Sequence, residues 1–273
     1  MRIAYVNKSD TATLTASSEA GSLIVDNLKS TYKSEVWRSV GGSATLEIEW
    51  PEGKQISVIS LPFCSLSSAA TVRITAFTNS ADVTPAYDSG IIVAIPPIAL
   101  TEWPWGSTTL GVNSYAYGLK ATMVKWIPVG AYEKIVIELD DALNPLGYIE
   151  AGRLFCSSYY EFEVNADFGS TSGTTDNSTF YRNDASDLLT DRGITFKTLS
   201  VSLSSMRQAD RTFFSNILKM SSSSFPVLLS IFPENTDSVL EEEHQIYGKL
   251  TRPSTIAITN IDRYAGSLEL EEI

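Results

Sequence analysis

Alternation of apolar and polar residues is the feature that most constrains how this chain can fold. In A-T-L-E-I-E-W, residues 44–50, Leu46 and Ile48 alternate with glutamates. The same period of two recurs in T-V-R-I-T-A-F-T, residues 71–78, and in T-F-K-T-L-S-V-S-L, residues 195–203. Successive side chains of a β-strand point to opposite faces, so each segment predicts a strand with one buried face.

Strand patterns of this kind outnumber helical ones along the whole chain. Pro51-Glu52-Gly53 predicts a turn between two of them. The predicted strands are Met1–Asn7, Ala44–Trp50, Ile56–Cys64, Thr71–Thr78, Met123–Ile127, Lys134–Asp140, Ile149–Phe155, Thr195–Leu203, Phe225–Phe232, Gln245–Leu250, Thr255–Ile261 and Tyr264–Glu271.

One α-helix is predicted, over residues 205–220. Ser205 followed by Gln208 fits a capping box, in which two side chains bond the free amides of the first helical turn. An apolar stripe at spacings of three and four follows. Its members are Met206, Ala209, Phe213, Ile217 and Met220.

Two domains are predicted from the 273 residues, which are many for one domain and enough for two. Gly169–Asn177 is rich in Gly, Ser and Thr and predicts a flexible linker. We therefore assign residues 1–158 and 159–273 to separate domains. The predicted fold class is mainly β: an N-terminal jelly-roll-like β-sandwich, then a smaller β domain (sandwich or barrel) with one packed helix.

The segment 16–39 predicts how the first domain closes at one end. Asp26 is placed to cap a helical turn that starts at Asn27, and Trp37 and Arg38 follow in an extended run. Val25, Leu28 and Tyr32 would share one side of the turn. We interpret Asp26, Trp37 and Arg38 as a structural signature. A metal site at Asp26 and Asn27 is an alternative of low specificity, and we predict no metal.

Charge and hydropathy exclude several classes of partner. The chain has 20 basic and 32 acidic residues, a net charge of −12, which argues against nucleic-acid binding and against binding to anionic membranes. No apolar run reaches the roughly 18 residues of a membrane-spanning helix. The N-terminus turns polar too early for a signal peptide, so we expect synthesis in the cytosol without Sec export.

The two cysteines, Cys64 and Cys156, lie in apolar strand-like runs. Two cysteines and one histidine do not supply the four ligands of a structural zinc site. Two buried thiols are the simplest interpretation, and a disulfide requires the two strands to be neighbours. We predict no cofactor.

No catalytic motif stands out, and we predict that the chain is not an enzyme. Nucleophilic catalysis needs a base beside Ser or Cys, and the single histidine, His244, lies among glutamates. A glycosidase needs only two carboxylates. The candidates weighed for that role are Glu102, Asp140–Asp141, Glu161 with Glu163, and Glu241–Glu243, each of which we interpret as a solvated or turn residue.

The stretch Pro96–Gly118 predicts a long aromatic loop, and loops of that length are usually functional. Three roles stay open for its aromatic side chains: stacking on a sugar, contact with another subunit, and packing within the domain. The residues are Trp103, Trp105, Tyr115 and Tyr117.

The N-terminal half resembles discoidin-type, galactose-binding-like domains. The residues that carry this resemblance are A-S-S-E-A-G-S-L-I-V-D-N-L, V-W-R-S and Y-I-E-A-G-R-L-F-C-S. In particular it looks like the version found in minor tail proteins of long-tailed bacteriophages. The C-terminal half, with S-F-P-V-L-L-S-I-F-P and Y-A-G-S-L-E-L-E-E-I, is similar to tail-tube-like or distal-tail folds of such phages.

The resemblance implies a virion structural protein at the tail tip or baseplate, assembled in the host cytoplasm. Its implied partners are the tail tube, hub and tape measure, and other copies of itself in a ring, with a hexamer favoured over a trimer. The iron–sulfur cluster of some related tail-tip proteins needs four cysteines, which this chain lacks. The alternative function is an adhesin that recognises host surface glycans through aromatic loops.

Overall fold

The chain folds into two compact units, each of which is described by itself. The structure is a computed structural model and describes residues 1–95, 121–221, 223–252 and 254–273. The first unit comprises residues 6–160, and the second comprises residues 1–5 together with 161–273. The predicted first domain started at residue 1, whereas the structure groups the first five residues with the C-terminal part of the chain.

The described residues form nineteen strands and two α-helices, which confirms the mainly β prediction. Short 3-10 helices cover Ser9–Thr11 and Val25–Lys29. The strands and helices are β1 (Arg2–Ala4), β2 (Thr13–Ala16), β3 (Trp37–Arg38), β4 (Ser43–Cys64), β5 (Thr71–Phe77), β6 (Tyr87–Asp88), β7 (Ile92–Val93), β8 (Ala121–Asp140), β9 (Glu150–Ala151), β10 (Phe155–Ser157), β11 (Tyr160–Glu161), β12 (Thr171–Asp176), β13 (Thr179–Arg182), β14 (Leu188–Asp191), β15 (Thr195–Met206), α1 (Gln208–Met220), β16 (Val227–Ser230), α2 (Ser238–Glu243), β17 (Gln245–Leu250), β18 (Ala257–Asn260) and β19 (Arg263–Glu272).

The first unit is built around the antiparallel pair of β4 and β8. Its main sheet has the order β10-β4-β8-β5-β6, with β2 beside β4 and β7 beside β5. The predicted alternation is confirmed, because Leu46 and Ile48 of β4 are buried and lie in the same core as Val72, Ile74 and Ala76 of β5.

The predicted turn at Pro51–Gly53 is a distortion inside one long strand. β4 runs through these residues, and its register with β8 shifts between Glu49 and Lys54. A strand that is interrupted by a bulge bends without ending. The predicted strands 123–127 and 134–140 are likewise parts of the single strand β8.

The second unit is one large antiparallel sheet with helices. The strand order is β11-β1-β16-β17-β19-β15-β12, and β18 pairs with β19. β1 enters this sheet through pairs such as Ile3 with Leu229. Apolar alternation predicts that a strand exists, but it does not predict which strand pairs with it, and this explains why the first residues were assigned elsewhere.

The helix prediction needs two corrections. Helix α1 starts at Gln208 instead of residue 205, because the carboxylate of Asp210, and not the Ser205–Gln208 pair, receives the free amide of Arg207 at 3.4 Å. Phe214 and Ile217 are the apolar residues buried on α1, while Met220 is exposed.

A second short helix, α2, contains Glu241–Glu243, which the sequence led us to interpret as solvated residues; Glu242 is buried. Asp237 caps it by accepting hydrogen bonds from the amides of Val239 and Leu240. Neither helix in the described part of the chain has the length and apolar character that a membrane-crossing helix needs.

The predicted linker at Gly169–Asn177 contains strand β12. Each of its six residues is exposed and pairs with β15, from Thr171 opposite Ser200 to Asp176 opposite Thr195. A strand exposed on both faces has no apolar alternation, so backbone pairing alone defines it. The hairpin β13–β14 follows, exposed in the same way.

Candidate functional site

The predicted ligand-contact residues Trp103, Trp105, Tyr115 and Tyr117, like Glu102, lie outside the described residues. Their role as sugar or partner contacts stays a prediction. The candidate site is therefore built from described residues of the first unit.

Residues 20–38 form a loop layer that lies along residues 148–154. Trp37 pairs with Ala151, and Arg38 pairs with Glu150. At the other end, the amide of Leu154 donates to the carbonyl of Leu28 at 3.0 Å. Loops fixed on a sheet in this way are common places for binding residues.

Two buried side chains hold this loop layer. Trp37 is fully buried, and its indole N–H donates to the carbonyl of Ser18 at 3.2 Å. The guanidinium of Arg153 donates to the carbonyls of Lys29 and Ser30 and to the carboxylate of Asp10. Trp37 thus has the structural position that the sequence suggested, while Arg153 was missed because a buried arginine leaves no pattern in a sequence.

Asp26 does not cap the turn as predicted. The 3-10 helix starts at Val25 with Ile24 in the cap position, and Asp26 instead pairs with Lys29 at 2.8 Å. The carboxylate that bonds the first amide of this turn belongs to Glu19, which accepts from Val25 at 2.7 Å. A capping side chain six residues upstream is not visible in a local motif.

Tyr32 also differs from its prediction, and the difference is informative. It was expected to lie beside Val25 and Leu28, which are both buried, but its own side chain is 68% exposed. The loop around it is fixed, because Arg153 binds the preceding carbonyls. A large aromatic side chain that is held on a fixed loop and left in solvent is a candidate for ligand contact.

Arg38, Tyr148 and Glu150 form a second part of the surface, here called the Arg38 cluster. The carboxylate of Glu150 accepts from Nε of Arg38 at 2.9 Å and from Nη2 at 2.6 Å. This hydrogen bond raises the pKa of the Arg38 guanidinium above its ordinary value. The guanidinium lies 4.1 Å from the centre of the partly exposed Tyr148 ring. Planar stacking of this kind fixes the orientation of both groups.

Phe63 connects the loop layer to strand β4. Its φ of 58° lies in the left-handed region, which is costly for a residue with a large side chain. The ring is buried, and Nζ of the exposed Lys33 lies 5.7 Å from its centre. The loop layer contains Tyr32, Lys33 and Arg38. It thus presents one aromatic and two cationic groups at its surface.

Three of the carboxylates weighed for catalysis contact other groups of the protein. Asp141 is buried and accepts hydrogen bonds from the amide and hydroxyl of Ser67 and from Asn144. Glu161 pairs with Arg2 at 3.0 Å, and Glu163 pairs with Arg207 at 2.6 Å. Asp141 starts a turn, because the amide of Asn144 donates to its carbonyl, but its side chain is buried and not solvated. The side chains of Glu161 and Glu163 are about half exposed.

His244 ends helix α2. One ring nitrogen lies 3.0 Å from the carbonyl of Leu240, and the ring packs edge-on against Phe232. Both cysteines are buried, and no disulfide joins Cys64 to Cys156. Among the described residues, no group of three His, Cys, Asp or Glu side chains is placed to hold a metal ion.

No family model matches the chain, and no curated protein matches it. Several solved structures show a partial likeness. A GH29 fucosidase from Ruminococcus gnavus, in complex with fucose, aligns over 57% of this chain at 11% identity with a TM-score of 0.41. This chain spans 27% of that enzyme's length.

Two smaller proteins align over their full length. The family 32 carbohydrate-binding module of NanJ from C. perfringens, in complex with galactose, aligns over 59% of this chain and 100% of its own, at 13% identity with a TM-score of 0.38. Chitosan-binding module 1 of a chitosanase/glucanase from Paenibacillus sp. IK-5 aligns over 56% and 100%, at 11% identity with a TM-score of 0.38.

Proposed function

We propose that the first unit binds carbohydrate, and that it does so through the loop layer 20–38 and the adjoining Arg38 cluster. The observation that carries the proposal is that Tyr32 and Lys33 are exposed, and Arg38 is partly exposed, on one loop layer held by buried Trp37 and Arg153. Aromatic rings match the apolar face of a pyranose, and amine and guanidinium groups donate to its hydroxyls.

The Arg38 cluster is suited to such recognition because its geometry is fixed before binding. Glu150 holds Nε and Nη2, while Nη1 makes no hydrogen bond to the described residues. The guanidinium therefore keeps one donor edge for a ligand, and little side-chain entropy is lost on binding.

The experiment is a glycan array with the full chain, followed by calorimetry on the glycans that bind. We expect Tyr32→Ala and Arg38→Lys each to weaken binding about tenfold, which corresponds to about 1.4 kcal/mol. Arg38→Lys keeps the charge but loses the two-pronged contact with Glu150. Phe168→Ala removes an exposed aromatic side chain of the other unit that lies outside the hairpin, so it is the control and should leave binding unchanged.

If the folded protein binds no glycan on the array, the proposal is rejected. Equal losses for Tyr32→Ala and Phe168→Ala would also reject the loop layer as the site.

A role as a structural component of a phage tail tip is the second candidate. It is supported by the resemblance of both halves of the sequence to tail proteins and by the apolar side chains exposed on hairpin β13–β14. The test of this role is immunogold labelling of purified phage particles with an antibody to this chain. Label at the tail tip is the expected result, and unlabelled particles would reject the assignment.

A further inference from the structure

The hairpin β13–β14 carries apolar side chains on both of its faces. A two-stranded hairpin has little stability in water on its own, and clustered exposed apolar residues mark contact surfaces. The exposed apolar residues of this hairpin are Phe180, Tyr181, Leu188 and Leu189.

One face of the hairpin combines apolar and acidic side chains. Tyr181 lies opposite Leu189, and Thr179 lies opposite Asp191, so these four side chains share a face. Next to the turn, the amide of Asn183 donates to the carbonyl of Asp187, so the pairing of the two strands extends to these residues. Asp187 precedes Leu189 by two residues and therefore lies on the same face. We call the face formed by Tyr181, Leu189, Asp187 and Asp191 the acidic hairpin face.

The carboxylates of this face have no cationic partner among the described residues. Asp187 accepts a hydrogen bond from the side-chain amide of Asn183 at 3.2 Å. Arg182 of β13 pairs with Leu188 of β14 and so lies on the opposite face of the hairpin. Its guanidinium donates to the carbonyl of Ser186 at 2.7 Å.

The same unit contains a groove of complementary character between α1 and the β18–β19 strands. It has a volume of about 420 Å³. Its lining includes Arg211, Ser215, Lys219, Ile256, Ile258 and Tyr264, and we call it the basic groove. Ile258 is 80% exposed, so one apolar wall of the groove is open to solvent.

The two basic side chains of the groove form no ion pair within the described part of the chain. The guanidinium of Arg211 stacks 4.9 Å from the centre of the Tyr264 ring. Its Nε is buried without a hydrogen-bond partner among the described residues. Arg211 and Lys219 thus offer positive charge to an anionic side chain that enters the groove.

We propose that the basic groove binds the acidic hairpin face of a second copy of this chain. The apolar part of the contact joins Tyr181 and Leu189 to Ile256 and Ile258. The charged part brings Asp187 and Asp191 to Arg211 and Lys219, four side chains that form no ion pair within the described part of the chain. Every copy carries both surfaces, so the contact is head-to-tail and copies can be added at each end. Such an assembly either closes into a ring or grows as a filament.

This inference is independent of carbohydrate binding, which concerns the other unit. It adds a contact between copies to the structural role in a phage tail that is proposed above. Either proposal can fail without the other, because immunogold labelling reports the location of the chain in a particle and not contact between copies.

The test is a charge swap in the full chain, read by sedimentation velocity and native mass spectrometry. The groove variant carries Arg211→Glu and Lys219→Glu, and the hairpin variant carries Asp187→Lys and Asp191→Lys. We expect the wild type to assemble and each variant to be monomeric. An equal mixture of the two variants should assemble again, because each junction then joins opposite charges. Arg182→Glu, on the other face of the hairpin, should assemble like the wild type.

Three results would overturn the proposal: a wild type that is monomeric at every concentration, single variants that assemble as well as the wild type, or a mixture of folded variants that stays monomeric. Circular dichroism checks that each variant is folded. Should the groove variant not fold, the exposed pair Lys219→Glu and Asp187→Lys repeats the swap with one charge on each side.

Discussion

Arg153 and Asp10 form an ion pair of 2.8 Å between parts of the first unit that are 143 residues apart in the chain. The arginine side chain is 4% exposed, and the aspartate side chain is far more open to solvent. The same guanidinium binds the carbonyls of Lys29 and Ser30. One side chain therefore links the start of the unit, the loop layer and the segment between β9 and β10.

We expect Arg153→Met to lower the free energy of unfolding by about 2–4 kcal/mol, because one buried side chain donates to two carbonyls and a carboxylate and all three contacts are lost. Urea denaturation followed by tryptophan fluorescence measures the change. Arg252→Met is the control: Arg252 is 75% exposed and pairs with Glu269, so its removal should cost less than about 1 kcal/mol. Equal costs for the two variants would contradict the anchoring role of Arg153.

The sequence predicts the alternating strands well because burial imposes their period. Leu46 and Ile48 in β4, and Val72 and Ile74 in β5, are buried as the pattern requires. Strand β12 is missed because its residues face solvent on both sides and its backbone pairs give no apolar pattern. The placement of β1 beside β16 is missed for another reason: pairing partners more than 200 residues apart leave no local signal.

The candidate site is less predictable than the fold. Trp37 and Arg38 could be singled out from a local motif, but their partners Ser18 and Glu150 are set by tertiary structure. Tyr32 shows the limit of helical spacing: the spacing of three and four from Val25 and Leu28 applies only while the helix continues, and this one ends at Lys29.

Asp141 is predicted to be a structural carboxylate. It is buried and accepts from the Ser67 amide at 2.8 Å, from the Ser67 hydroxyl at 2.6 Å and from Asn144 at 2.9 Å. Asp141→Ala should lower the free energy of unfolding by about 2–4 kcal/mol, since these donors stay buried without an acceptor.

Asp140→Ala is the matched neighbour, because Asp140 is exposed and its carboxylate accepts one hydrogen bond among the described residues, from the hydroxyl of Ser43. Its cost in urea denaturation should be below about 1 kcal/mol. A larger loss for Asp140 than for Asp141 would reverse the assignment.

Gly248 of β17 is expected to tolerate no side chain. A Cβ at this position would lie 2.2 Å from the carbonyl oxygen of Glu271 in the neighbouring strand β19, which is backbone that cannot move aside. Gly248→Ala should therefore lower the thermal midpoint markedly, with a cost of about 1–3 kcal/mol from overpacking. At Gly41 a Cβ would meet nothing within 4 Å, so Gly41→Ala should change the midpoint little. Matching midpoints for both variants would show that the two strands separate more easily than this close contact implies.

Cys156 makes stability depend on pH at the alkaline end. Burial raises the pKa of its thiol above the ordinary value of 9.0. Above about pH 9 the unfolded chain loses this proton while the folded chain keeps it. The free energy of unfolding should therefore be unaffected by this group below pH 9 and fall above it, by up to about 1.4 kcal/mol per pH unit. Urea denaturation between pH 8 and pH 10 measures the slope, and Cys156→Ala should make it shallower whatever its effect on stability at pH 7. Parallel slopes for the wild type and Cys156→Ala would show that the thiol ionises as readily in the folded chain as in the unfolded one.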